Sequence, residues 1–270
     1  MFTKLLAYEI RSRFRADARS FGAFIAVIAV AAGIVAAGLP GISGSTAFLA
    51  YALCALTPVT CAIAAMADYW KTLYGQRGYF TMSLPVSGKV IFWAKNTRIM
   101  IECLLALALA VGGIIAVASA AAWSDGISLA EYTAGPRSVA AGLPTSTVVI
   151  MIVAQVIVAL SWLVQGSAVM SIGAQGRFNH LGFGAPIIGF VLVYIVNQVL
   201  STVGTFFVPL SVTTDGHFST EIMWTSYQAT LGTDGHPNVI GIGSCVLVPL
   251  FALAMGLWAS RSIEKHTSLR

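Results

Sequence analysis

Few residues in this chain are placed to do chemistry, and the most constrained of them is a carboxylate. Glu102 is the only charged residue inside any of the long apolar stretches, and Arg98 precedes it by one helical turn. Opposite charges at this spacing lower the cost of holding either group near hydrocarbon. The same placement suits a gate at the mouth of a transport path. Four uncharged amides share the apolar setting: Gln155, Gln165, Asn197 and Gln198, the last two followed by Ser201 and Thr202. Amides in such helices either bond a neighbouring helix or line a polar route. Glu102, Gln155, Asn197 and Gln198 are therefore the candidates for a pathway or gate. Asn197 and Gln198 project about 100° apart on a helix, so at most one of them faces a bundle's centre squarely.

Enzyme patterns fail on their missing partners. Gly41-Ile42-Ser43-Gly44 presents a serine in a GxSG setting, but no apolar stretch contains a histidine to serve as its base. Asp215, His217, Glu221, Asp234 and His236 gather in one polar segment without a tight ligand spacing such as HxxxH. No metal site is expected there. Gly88-Lys89 lacks both the earlier glycine and the following Ser or Thr of a phosphate loop, so the chain is not expected to bind nucleotide or to be an enzyme. Cys54, Cys61, Cys103 and Cys245 lie in apolar stretches with no CxxC pair, where thiols pack as small hydrophobes.

The elements that must position these residues are six apolar stretches, at 21-39, 46-67, 99-122, 147-170, 183-208 and 239-259. Each is long enough to cross a hydrocarbon core of about 30 Å as a helix. The spacing predicts an all-α, polytopic membrane protein forming a single membrane domain over residues 1-270. Threading the chain back and forth puts residues 1-20, 68-98, 171-182 and 260-270 on one side, with fourteen of the fifteen Lys and Arg residues. Only Arg137 falls on the other. Basic loops stay on the cytoplasmic side, so both termini are expected there, in a multi-pass protein of the cell (plasma) membrane. The segments 40-45, 123-146 and 209-238 then face outward.

Composition excludes other classes. Charged residues make up 9% of the chain, against about 25% in a soluble domain. The excess of Lys and Arg answers anionic lipid headgroups, and nucleic acid is not expected as a partner. The first apolar stretch is too long for the core of a cleaved signal peptide, usually about 7–15 residues, and reads as a retained span. Ahead of it, Phe2, Leu5, Leu6, Ile10 and Phe14 fall on one face of residues 1-20, with Lys4, Arg11, Arg15 and Arg19 mostly elsewhere. That pattern predicts an amphipathic helix at the membrane interface. Ala29, Gly33 and Ala37 would let another helix come close to the first span. Pro58 and Pro186 are positioned to bend the second and fifth.

The densest information lies between the second and third stretches. Tyr69, Trp70, Tyr74, Tyr79 and Phe80 are interleaved with Lys71, Arg77, Gly75, Gly78 and Pro85. So many rings exceed what a solvated connector needs; ring and arginine enrichment suits a protein contact surface, and an aromatic belt beside lipid is the plainer alternative. The run from Leu73 through Tyr74-Gly75-Gln76-Arg77-Gly78-Tyr79-Phe80 to Leu84-Pro85-Val86-Ser87 resembles the "LYGxxGYLxxxLPVS" segment of ABC type-2 exporter permeases. Lys4-Leu5-Leu6-Ala7-Tyr8-Glu9-Ile10 is similar to the "KLLKYEF" opening of the same group. Arg77 stands where that motif commonly has an acidic residue.

The resemblance implies a membrane subunit of an ATP-driven exporter, a homodimer or a heterodimer with a related permease, joined by two copies of a separate ABC ATPase. ATP and Mg would belong to that ATPase, with no cofactor in this chain. The segment between the second and third spans would be a coupling helix, with Tyr74, Gly75, Gly78, Tyr79, Phe80, Leu84 and Pro85 seated in the ATPase. The resemblance also implies a short helix dipping into the outer leaflet before the last span, for which Glu221 to Leu231 is the candidate. The substrate class left open is amphipathic, lipid-like or peptide. Two other readings are a secondary transporter, which needs an embedded ion site, and a structural or sensory membrane subunit.

Overall fold

The computed structural model describes residues 1–75, 78–83, 85–182, 184–231 and 235–265. Six of its helices are long and apolar enough to cross a membrane: α1 (Phe2–Ala36), α2 (Ser43–Leu73), α4 (Gly88–Ser124), α7 (Thr145–Gly173), α8 (Gly184–Phe207) and α10 (Ser244–Lys265). The protein is thus an all-α, membrane-embedded chain. Between α2 and α4 lies the five-residue helix α3 (Gly78–Met82), and α5 (Leu129–Tyr132) and α6 (Ala134–Ala141) fill the link from α4 to α7. Ser128 caps α5 by accepting a bond from the Glu131 amide at 3.2 Å.

The interfacial helix and first span expected as two pieces are one continuous helix. Nothing between Arg15 and Ala26 interrupts the i→i+4 ladder, and α1 stops only where Gly38 adopts φ +62° ahead of Pro40. The sixth span starts and ends later than expected. Residues 239–243, assigned to it by hydropathy, form strand β3 (Val239–Gly241) and a turn instead. This strand pairs antiparallel with β1 (Ser211–Thr213), which pairs on its other edge with β2 (Phe218–Ser219). Gly216, at φ +81°, makes the tight hairpin between β1 and β2 possible. Helix α9 (Met223–Thr230) lies between β2 and β3, within the range expected for a short helix before the last span.

The chain forms two compact units. The first comprises Met1–Thr72 and Trp93–Ser138. Its core is small and close-packed: Ile28 of α1, Ala50 and Cys54 of α2 and Val117 of α4 meet, with Phe24 and Tyr51 against them. A Cβ on Gly113 would come within 2.7 Å of the Cys54 sulfur, so the glycine sets the approach of α4 to α2. The Ala29-Gly33-Ala37 stripe is not used in this way, since nothing in the structure lies within 4 Å of where a Gly33 Cβ would be.

The second unit comprises Leu73–Phe92 and Val139–Arg270. Helices α7, α8 and α10 pack against one another. Gly173 lets Pro186 approach, and Gly189 admits Val169. Pro186 sits in the first turn of α8, where its missing N–H would be unpaired in any case, so it starts the helix and does not bend it. The turn into α10 is seated on α8 through glycines: a Cβ on Gly241 would collide with the Thr205 carbonyl, and one on Gly204 would lie 2.5 Å from the Ser244 nitrogen.

Candidate functional site

A buried charge network in the first unit is the most unusual feature of the molecule. On α4, the Arg98 guanidinium donates from Nη1 to Glu102 Oε2 at 2.7 Å and from Nη2 to Asp68 Oδ2 at 3.2 Å. The Arg98–Glu102 pair expected from their spacing is therefore present, and it is one link of a longer chain. Asp68, near the end of α2, also faces Arg13 of α1, with Oδ1 at 3.2 Å from Nη1. Arg13 in turn lies 3.7 Å from Asp17. One turn before Arg98, Lys95 donates to Glu9 of α1 at 2.8 Å and to the Thr72 hydroxyl at 3.0 Å. Glu9, Lys95, Arg98 and Glu102 are each less than a tenth exposed.

Sequence reasoning missed Glu9, Arg13, Asp17, Asp68 and Lys95 as members. Their partners lie on other helices, and no local spacing reveals a contact between α1 and α4. A weak signal was available. Glu9, Arg13 and Asp17 recur every four residues, continuing the stripe of buried Leu5, so they occupy the face of α1 that packs inward. Ile10 and Phe14 of the expected apolar face are exposed, beside Ile101 and Leu105 of α4. Burying such groups is costly unless each is paired, and the network pairs them.

The intramembrane amides divide into two groups. Asn197 of α8 is buried and exchanges side-chain hydrogen bonds with Gln165 of α7, which also donates to the Val248 carbonyl of α10 at 3.3 Å. A polar seam continues along α7 and α10, where Gln175 donates to the Ser262 hydroxyl at 2.7 Å. Gln165 thereby ties α7 to both α8 and α10. Gln155 and Gln198 are on the outside of the same unit. The structure thus does not bring Gln155, Asn197 and Gln198 together.

The segment expected to dock a partner belongs to the second unit from Leu73 onward. It turns at Gly75, whose carbonyl accepts from the Gly78 amide at 2.8 Å, and enters α3. Gly78 and Thr81 are buried, Tyr74 is half-buried, Pro85 is exposed, and Tyr79 is 58% exposed. Gln76, Arg77, Leu84 and the Phe80 side chain lie outside the described residues. Tyr69, counted among the contact rings, is 1% exposed and so is not available to a partner. Where the segment ends, a Cβ on Gly88 would lie 2.7 Å from Glu264 Cγ and 3.0 Å from Ile263, so the start of α4 is seated directly on α10. The Glu264 carboxylate sits 3.5 Å from the Lys89 amide, at the positive end of α4.

In the 209–238 segment, Trp224 and Tyr227 pack by edge and tilted contacts on Phe206 and Phe207, at the end of α8. Each still exposes more than a third of its surface. Asp234 lies outside the described residues, and among those described no three His, Cys, Asp or Glu side chains gather as metal ligands. No protein-family model, no curated protein and no solved structure matches this chain.

Proposed function

We propose that this chain is the membrane subunit of an ATP-driven ABC exporter, working as a dimer with a separate ATPase and moving an amphipathic or lipid-like substrate or a peptide out of the cytoplasm. The observation that carries this reading is Tyr79. A tyrosine that stays 58% exposed on a five-residue helix between two apolar helices lacks a full cover among the described residues. A coupling helix seated in a partner gives it one. The exporter motif quoted above supplies the identity of that partner, an ABC ATPase in two copies, which holds the ATP and Mg. The glycine contact between Gly88 and α10 offers a route by which movement of the segment reaches α10 within the second unit. Both termini are placed in the cytoplasm, in the cell membrane, on the charge asymmetry of the loops.

A secondary transporter would use the buried carboxylates as an ion site. Against that reading, Arg13, Lys95 and Arg98 stand among them and hold most of their oxygens. The test is affinity purification of the tagged chain from its native membranes, beside a Tyr79→Ala variant. An ABC ATPase accompanies the wild type and is depleted about thirtyfold in the variant, as for an interface anchor worth about 2 kcal/mol. Equal recovery from both would remove Tyr79 from the contact.

A further inference from the structure

We propose that a cleft in the first unit binds a single-chain amphiphile with a positively charged amine head. The cleft encloses about 430 Å³ between α1, α2 and α4. Its wall includes the charged side chains of Arg13, Asp17 and Glu102, and then Phe24, Val27 and Leu53. The two kinds of lining are separated along the helix axes, since the ten residues from Asp17 to Val27 rise about 15 Å. A head and a chain would therefore find different surroundings in one cavity.

Charge decides the head. Four carboxylates, Glu9, Asp17, Asp68 and Glu102, face three bases, Arg13, Lys95 and Arg98, so with all seven ionised the network carries one formal negative charge in excess among the described residues. The excess falls at the cleft. Arg13 is closer to Asp68, at 3.2 Å, than to Asp17, at 3.7 Å, so Asp17 is the weakest-held carboxylate. Glu102 gives Oε2 to Arg98, and among the described residues its Oε1 meets the Cys61 thiol alone, at 3.9 Å. An ammonium group would donate to both carboxylate edges and cancel the unmatched charge, whereas an anion would add a second one. Beyond the head, the apolar wall removes a hydrocarbon chain from competing surroundings without a polar cost. As a statement about substrate the proposal rests on the exporter reading; as a statement about binding it does not, and the test is one of binding.

The full chain in lipid nanodiscs is exposed to dodecylamine carrying a photoactivatable group on its chain, and the labelled peptides are mapped. Labelling is expected on α1 and α2 around Phe24, Val27 and Leu53, competed by dodecylamine but not by dodecanoate or propylamine. Asp17→Asn should lower it about tenfold, the loss of one charge-assisted hydrogen bond. Leu53→Trp fills the apolar part of the cleft, leaves every charged group in place and should abolish labelling, which guards against misfolding of the first variant. Labelling spread evenly over the helices, equal competition by dodecanoate, or no response to either variant would overturn the proposal. The same preparation reads the two proposals apart: labelling without an accompanying ATPase retires the exporter reading and supports the cleft, and an ATPase without labelling retires the cleft.

Discussion

At the scale of residues, the chain buries several charges and pairs most of them, with the Nε atoms of Arg13 and Arg98 buried without a hydrogen-bond partner. Lys95 is 3% exposed, yet its ammonium meets both a carboxylate and a hydroxyl, so its desolvation is offset by contacts of short length. Removing one partner is far worse than never having the pair. Lys95→Ala leaves Glu9 buried without its base and is expected to cost about 3–5 kcal/mol. The double change Lys95→Met with Glu9→Leu should recover most of that loss. Thermal unfolding of the purified variants measures both; equal stability of the single variant and the wild type would mean that the pair is not buried in the membrane. The Arg98–Glu102 link could be read from the sequence because both residues sit on one helix, four positions apart. The links from Glu9, Arg13 and Asp68 could not, because their partners are brought near only by packing of α1 and α2 on α4. The amides tell the same story: Asn197 and Gln198 were distinguishable by their angular separation, but only the fold decides that Asn197 turns inward to Gln165.

At the scale of elements, hydropathy locates the six long helices and misjudges their ends. It cannot tell where an apolar run stops being helical. Val239, Ile240 and Ile242 count as membrane residues by composition, but Gly241 and Gly243 between them let the backbone lie against α8, and the run becomes a strand. Gly241→Ala is expected to destabilise the second unit by more than 1 kcal/mol, since its Cβ would meet backbone that has no room to retreat. Loss of folded protein in that variant, with Gly33→Ala close to wild type, would support the assignment, because a Gly33 Cβ meets nothing within 4 Å. Gel-filtration recovery after mild heating compares the two. The short helix α3 lies where the resemblance implied a coupling helix, while the glycines by themselves implied only a turn. Which rings of the segment remain available was not legible, because burial of Tyr69 depends on how α2 packs.

At the scale of the molecule, the two compact units divide the labour that the proposal requires. One carries the buried charges and the cleft; the other carries the segment with Tyr79, the Gln165–Asn197 pair and the small sheet. The proposed orientation rests on the basic loops and is testable by itself. Cysteines placed singly at exposed Thr3 and Ala130 are expected to differ, with only the second reacting with an impermeant maleimide added to intact cells. Reaction at Thr3 alone would invert the topology and put the aromatic segment on the wrong side for any ATPase. The most direct measurement is photo-crosslinking from position 79 itself. With a photoreactive phenylalanine in place of Tyr79, irradiation of native membranes is expected to join this chain to an ABC ATPase. Adducts only with lipid, or only with a second copy of this chain, would contradict the assignment of this segment as the contact through which ATP hydrolysis drives transport.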